Sequence, residues 1–132
     1  MNRNTFERYV QELCEDLALK HNSYAHRQRH ACVITYNNAV IATGININLK
    51  NDFTRVYNDL KCLHAEAVAI MRAIPKHHNI LHKSELWVCR KGKLNSYSKP
   101  CLMCQKIIGT FNIPIIHYTD EIGNWITESL YS

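Results

Sequence analysis

Residues 30–45 read HACVITYNNAVIATGI, and this stretch decides the fold class. His30–Tyr36 and Ala39–Ile45 are each dense in Val, Ile and Thr, the side chains that fit a pleated, half-buried surface. Between them stands Asn37-Asn38, a pair that tolerates the left-handed backbone of a two-residue hairpin turn. An antiparallel hairpin is therefore predicted here. Upstream, Phe6, Tyr9, Val10, Leu13 and Leu17 recur at steps of three and four, which predicts an amphipathic helix over Thr5–Lys20 with Asn4 and Glu7 as a capping box. Downstream, 47–61 reads as a polar loop, and Leu63–Ile74 as a helix closed by Pro75. Lys76–Lys83 reads as a polar connection, and Glu85–Arg90 (ELWVCR) as a buried strand. A basic loop, Lys91–Ser98, leads to Pro100, suited to the first position of a helix running to Gly109. Ile113–Tyr118 reads as a further strand, and a weak helix is expected to close the chain. The order α-β-β-α-β-α-β-(α) implies a mixed sheet with an N-terminal hairpin and helices on both faces, a three-layer α/β domain.

Composition narrows the class. At 132 residues the chain is long enough for one core and too short for two, so residues 1–132 are expected to form a single domain. Hydrophobic residues make up 46% and charged residues 20%, which excludes disordered and collagen-like chains. The longest apolar run, Ala67–Met71, is far too short to span a bilayer, so no membrane role is expected. The N-terminal MNRNTFERYVQ lacks the apolar core of a secretory signal. A cytoplasmic or nuclear protein is therefore expected, and its six cysteines should be reduced thiols or metal ligands. The formal charge of +5 suits phosphate-bearing partners, either a nucleotide or a nucleic acid, without choosing between them.

Two fragments carry chemistry: His64-Ala65-Glu66 at the start of the second predicted helix, and Pro100-Cys101-Leu102-Met103-Cys104 at the start of the third. Alone, a C-x-x-C could be a redox pair, half of a structural zinc site or a coincidence. Joined to an H-x-E at another helix start, it becomes far more specific. Residues three apart share a helix face, so Cys101 and Cys104 can hold one ion, and the helix N-terminus favours their thiolates. His64 adds a neutral nitrogen. Two thiolates and an imidazole leave a tetrahedral zinc one open position, the mark of a catalytic site. Glu66, two residues from His64, points elsewhere on a regular helix and reads as an acid/base beside the metal.

H-x-E followed by P-C-x-x-C is the signature of zinc deaminases, and from the hairpin to the strand ending near Tyr118 the chain resembles the cytidine/deoxycytidylate deaminase superfamily. The resemblance implies a three-layer α-β-α cytidine deaminase-like fold. It implies one catalytic Zn2+ on His64, Cys101 and Cys104, with Glu66 as proton shuttle. Gly44-Ile45-Asn46 matches a G-x-N whose Asn meets the sugar or base, and Ala65 matches a position whose backbone touches the base. The implied reaction is zinc-dependent hydrolytic deamination of a cytosine-containing nucleotide, dCMP to dUMP first, within a homo-oligomer. Two alternatives stand beside it: a nucleic-acid deaminase acting on cytosine in single strands or adenosine in tRNA, and a catalytically silent zinc-stabilised binding module. One departure is visible. Thirty-six residues separate His64 from Cys101, more than in compact members, with the excess in 75–83 and 91–98.

The remaining candidates have plainer readings. Cys14, Cys32 and Cys89 read as packing residues and Cys62 as a bystander. His77, His78 and His82 belong to a polar connection, and His117 reads as a satisfied strand histidine. The basic run Arg90, Lys91, Lys93 and Lys99, with Tyr97 among them, reads equally as a phosphate grip at the rim of the site or as a solvated surface.

Overall fold

The computed structural model describes residues 2–20, 29–48, 62–91 and 96–130. The elements in chain order are α1 (Arg3–Lys20), β1 (Arg29–Tyr36), β2 (Ala39–Ile45), β3 (Ile47–Asn48), β4 (Cys62–Leu63) and α2 (Ala65–His77). A 3-10 helix (His78–Lys83) follows, then β5 (Glu85–Lys91), α3 (Leu102–Thr110), β6 (Ile115–Thr119) and β7 (Trp125–Ser129). Five strands form one sheet in the order β2-β1-β5-β6-β7. The pair β5–β6 is parallel and the other neighbours are antiparallel, so the sheet is mixed as expected. The short strands β3 and β4 pair with each other on the approach to α2.

The hairpin turns on Asn37 and Asn38, with φ of 48° and 58°, the double left-handed geometry that matches the twist of the flanking strands. Strand alternation then sorts the core into two layers. Ala31, Val33, Trp87 and Cys89 meet Phe6, Val10, Cys14 and Ala18 of α1 on one face. Cys32, Ile34, Leu86 and Val88 meet Ala65, Ala69 and Ile70 of α2 and Ile108 of α3 on the other. This is the three-layer α-β-α arrangement. Cys14, Cys32 and Cys89 are fully buried free thiols, in keeping with their packing role. His117 is likewise satisfied: Nε2 lies 2.7 Å from Glu85 Oε1, Nδ1 lies 2.7 Å from Thr127 Oγ1, and the ring stacks on Trp87.

Four expectations are corrected. The closing segment is a strand. Asp120 Oδ1 accepts the N–H groups of Ile122 and Asn124, and Gly123 takes φ of 96°, so residues 120–124 fold into a tight turn. That turn returns Trp125–Ser129 antiparallel to β6. Pro75 does not stop α2, which runs on to His77, because a proline near the last turn removes one hydrogen bond without breaking the helical path. The connection after it is the 3-10 helix, anchored by the fully buried Leu81. At the N-terminus the cap is Asn2, whose Oδ1 accepts the Thr5 N–H at 2.8 Å, while Glu7 pairs with Arg3. Lys93, the 21–28 stretch and most of the 47–61 loop lie outside the described residues.

Candidate metal centre

The site lies where α2 and α3 begin, over one end of the sheet. Gly44 sets the approach of β2 to α2. A Cβ built there would stand 2.6 Å from both the Ala65 carbonyl oxygen and the Ala69 nitrogen. Those are backbone atoms of the first turns of α2, so only glycine lets the strand come this close. Its backbone is not left-handed, which makes the requirement steric. Ala65 and Ala69 are both fully buried against the sheet. His64 precedes the helix in extended backbone, at the N-cap position, and its side chain makes no capping bond. It is thereby left to face α3.

Cys101 occupies the corresponding N-cap of α3, so Pro100 stands before the helix, where the sequence pattern predicted it as the first helical residue. The thiols are three apart in sequence but differ in setting: Cys101 is exposed and Cys104 fully buried. His64 Nδ1 lies 3.2 Å from Cys104 Sγ and 3.7 Å from Cys101 Sγ. All three ligand atoms lie within 4.8 Å of one another. Among the described residues this is the one group of three His, Cys, Asp or Glu side chains close enough to share an ion. Tetrahedral zinc with ordinary Zn–S and Zn–N lengths holds its ligand atoms about 3.6 Å apart, so the spacing fits with little adjustment.

Electrostatics give the same fit. Burial, followed by the nearby Glu66 carboxylate and the Cys101 thiol, pushes the Cys104 thiol far above its ordinary value. A thiolate there needs a cation beside it. Glu66, 5% exposed, is pushed above the usual carboxylate range by burial, against the opposing pull of its backbone hydrogen bond, His64 and Cys104. A buried carboxyl group whose surroundings favour its protonated form therefore stands beside His64 and Cys104.

Asn46 follows β2 and is tied to β1. Its Oδ1 accepts the His30 N–H at 3.0 Å, and its own N–H donates to the His30 carbonyl at 3.4 Å. The side chain is thus held at the same end of the sheet as His64. Ala65 turns its carbonyl toward Gly44. His30 was read from the sequence only as the start of a strand. It stands two residues before Cys32 and therefore on the α2 face, a signal that alternation alone supplies. Burial, then the charge of Arg90, then His64, hold its imidazole down at about 4, so it is neutral at pH 7.

The fold and the ligand set together define a zinc-binding α/β domain with one His and two Cys donors from the starts of two helices. The chain belongs to the cytidine and deoxycytidylate deaminase zinc-binding family, whose model matches residues 4–119. It is similar in structure to the cytidine deaminase of Burkholderia pseudomallei, with 16% identity over 98% of this chain and 93% of that one and a TM-score of 0.64. It is also similar to the dCMP deaminase of cyanophage S-TIM5 in complex with dCMP and dUMP, with 20% identity over 90% of this chain and 83% of that one and a TM-score of 0.63. The apo form of the phage enzyme matches with a TM-score of 0.57. No curated protein sequence matches the chain. Zinc is the cofactor of this family, and His64, Cys101 and Cys104 are the group positioned for it.

Proposed function

We propose that residues 1–132 act as one deaminase domain that hydrolyses the exocyclic amine of a cytosine-containing nucleotide, dCMP to dUMP being the first candidate. The observation that carries this reading is the buried Glu66 beside the His64, Cys101 and Cys104 trio. A site that only held the fold together would have no use for a proton-exchanging acid in that position. The shared fold of a dCMP deaminase solved with dCMP and dUMP supports the choice of substrate.

Zinc held by the three residues would supply the Lewis acidity that makes water a nucleophile near neutral pH. Glu66 then does the proton work. As carboxylate it takes a proton from the attacking water, and as acid it delivers that proton to the ring nitrogen next to the carbon under attack. It next takes the remaining proton from the hydroxyl added at that carbon and passes it to the amine as the carbonyl forms and the C–N bond breaks, so water and the aminopyrimidine give ammonia and the corresponding pyrimidinone. Burial, which raises the affinity of Glu66 for a proton, suits both halves of the cycle. Asn46 binds the sugar, its side chain held in place by the His30 N–H that donates to its oxygen. The Ala65 backbone meets the base.

The protein is further read as cytoplasmic, a compartment that suits its free buried thiols. It is read as a homo-oligomer as well. Leu102 and Met103, 76% and 50% exposed beside Cys101, offer apolar surface for a second copy. Light scattering tests the latter.

The test of function is ammonia release from dCMP by the zinc-loaded protein, with the product identified by mass. Conversion to dUMP is the expected result. Activity confined to single-stranded oligonucleotides or tRNA would move the reading to a nucleic-acid deaminase. Retained zinc with no turnover on any of these would make the chain a silent binding module.

A further inference from the structure

The basic run near the site resolves into separate roles once its described side chains are placed. Lys91 lies 4.0 Å from Glu15 and Arg29 donates to the Leu19 carbonyl at 3.2 Å, so both serve the α1 face. Lys99 is committed to Glu128 at 3.3 Å and lies over the Tyr118 ring. Arg90 differs. In β5 it follows Leu86 and Val88 by the strand period, and those two face α2 and α3, so Arg90 shares the face of the metal ligands. It pairs directly across the ladder with His30, and His30 is bonded twice to Asn46 through the backbone and amide. Asn46, His30 and Arg90 therefore form one row across three adjacent strands, at the end of the sheet where α2 and α3 start. The field of Arg90 and that of His64 both reach the His30 ring, which places the row within electrostatic range of the ligand His64.

We propose that Arg90, seated beside His30, is the residue that selects a substrate carrying an anionic phosphoryl group, a nucleoside 5′-monophosphate, over the neutral nucleoside. The inference rests on the deaminase reading above and adds to it the group that distinguishes the two substrate classes. The order of the row agrees with the shape of a nucleotide. Asn46 lies nearest α2, where the sugar would lie, and Arg90 lies two strands farther along, where a 5′ substituent would extend. A guanidinium forks onto phosphate oxygens with two parallel hydrogen bonds, and it keeps its charge at any working pH. The imidazole beside it is neutral at pH 7, so it adds a polar wall without competing for the anion.

The test compares wild type, Arg90→Gln and Arg90→Lys on dCMP and on deoxycytidine, with kcat and KM taken separately. Dissociation constants for dUMP and deoxyuridine are measured by calorimetry alongside, so that a variant poor in turnover still reports. The expected result is a fall of about 10- to 100-fold in the dCMP-to-deoxycytidine ratio of kcat/KM for Arg90→Gln, carried by KM, the size of a lost hydrogen-bonded charge contact. The dUMP-to-deoxyuridine binding ratio falls in parallel, and Arg90→Lys lies between, because it keeps the charge and loses the fork. A wild-type preference for dCMP that Arg90→Gln leaves within about twofold, in both ratios, overturns this inference and leaves the substrate reading intact. A zinc-loaded wild type that prefers deoxycytidine, or acts on neither, overturns both.

Discussion

Replacing Gly44 by alanine adds one methyl group to β2 and should cost both stability and turnover, although Gly44 touches neither metal nor substrate. The added Cβ would lie 2.6 Å from the Ala65 oxygen and the Ala69 nitrogen and 3.1 Å from the Ala69 Cα, where ordinary contact begins near 3.4 Å. None of these atoms belongs to a side chain that can swing away. Helix α2 must therefore withdraw from the sheet by about 0.8 Å, the shortfall in the two closest contacts. Overpacking of this kind costs about 1–3 kcal/mol, which for a domain of this size lowers Tm by on the order of 5–10 °C. Because α2 carries His64 and Glu66 at its start, the same displacement moves the nitrogen ligand and the proton shuttle relative to Cys101 and Cys104. A misplacement near 1 Å in a reacting geometry costs about 100-fold in rate. Differential scanning calorimetry, zinc content and kcat on the preferred substrate read the three effects. A Gly44→Ala protein with wild-type Tm and a kcat within about twofold of wild type would refute the close-approach argument.

Two further outcomes follow from the same contacts. His64→Ala and Cys104→Ala should each lose zinc, and chelation of the wild type should lower its stability by about 3–4 kcal/mol, because the ion ties two helix starts together; metal analysis and thermal melts before and after chelator check this. Acid should unfold the protein partly through Glu85, where burial opposes ionisation but hydrogen bonds from His117 and Arg3 win and hold the carboxyl down to about 2. A depressed folded value contributes stability that is present above pH 4.5 and is lost as pH falls from there toward 2. After allowance for partial exposure this is on the order of 2 kcal/mol, and Glu85→Gln should flatten that limb of urea-unfolding stability measured from pH 7 to pH 3.

Much of this architecture was legible because it rests on local rules. The Asn37-Asn38 pair and the β-branched runs beside it specify a hairpin with few alternatives, and the hairpin with the helix patterns after it specifies the layers. The ligands were legible for a different reason: few arrangements other than a metal site place H-x-E and C-x-x-C at successive helix starts. What escaped was set by tertiary context. WITES at 125–129 carries too few apolar residues to announce a strand, and its state is decided by the Asp120 turn and by the open edge of β6. Pro75 looked like a helix stop, but a missing hydrogen bond in a last turn is tolerated when Leu81 buries the following turn. His30 and Arg90 could not be joined from sequence because their pairing depends on the register of β1 against β5, sixty residues apart.

The central claim is that His64, Cys101 and Cys104 hold a zinc ion at which Glu66 moves protons during deamination. The most direct measurement is zinc stoichiometry and turnover of Glu66→Gln beside the wild type, on whichever nucleotide the wild type deaminates. The account predicts one zinc per chain in both proteins and a loss of at least about 1000-fold in kcat for the variant, the scale of a removed acid/base group. A variant that keeps its zinc and turns over within about tenfold of the wild type would contradict it.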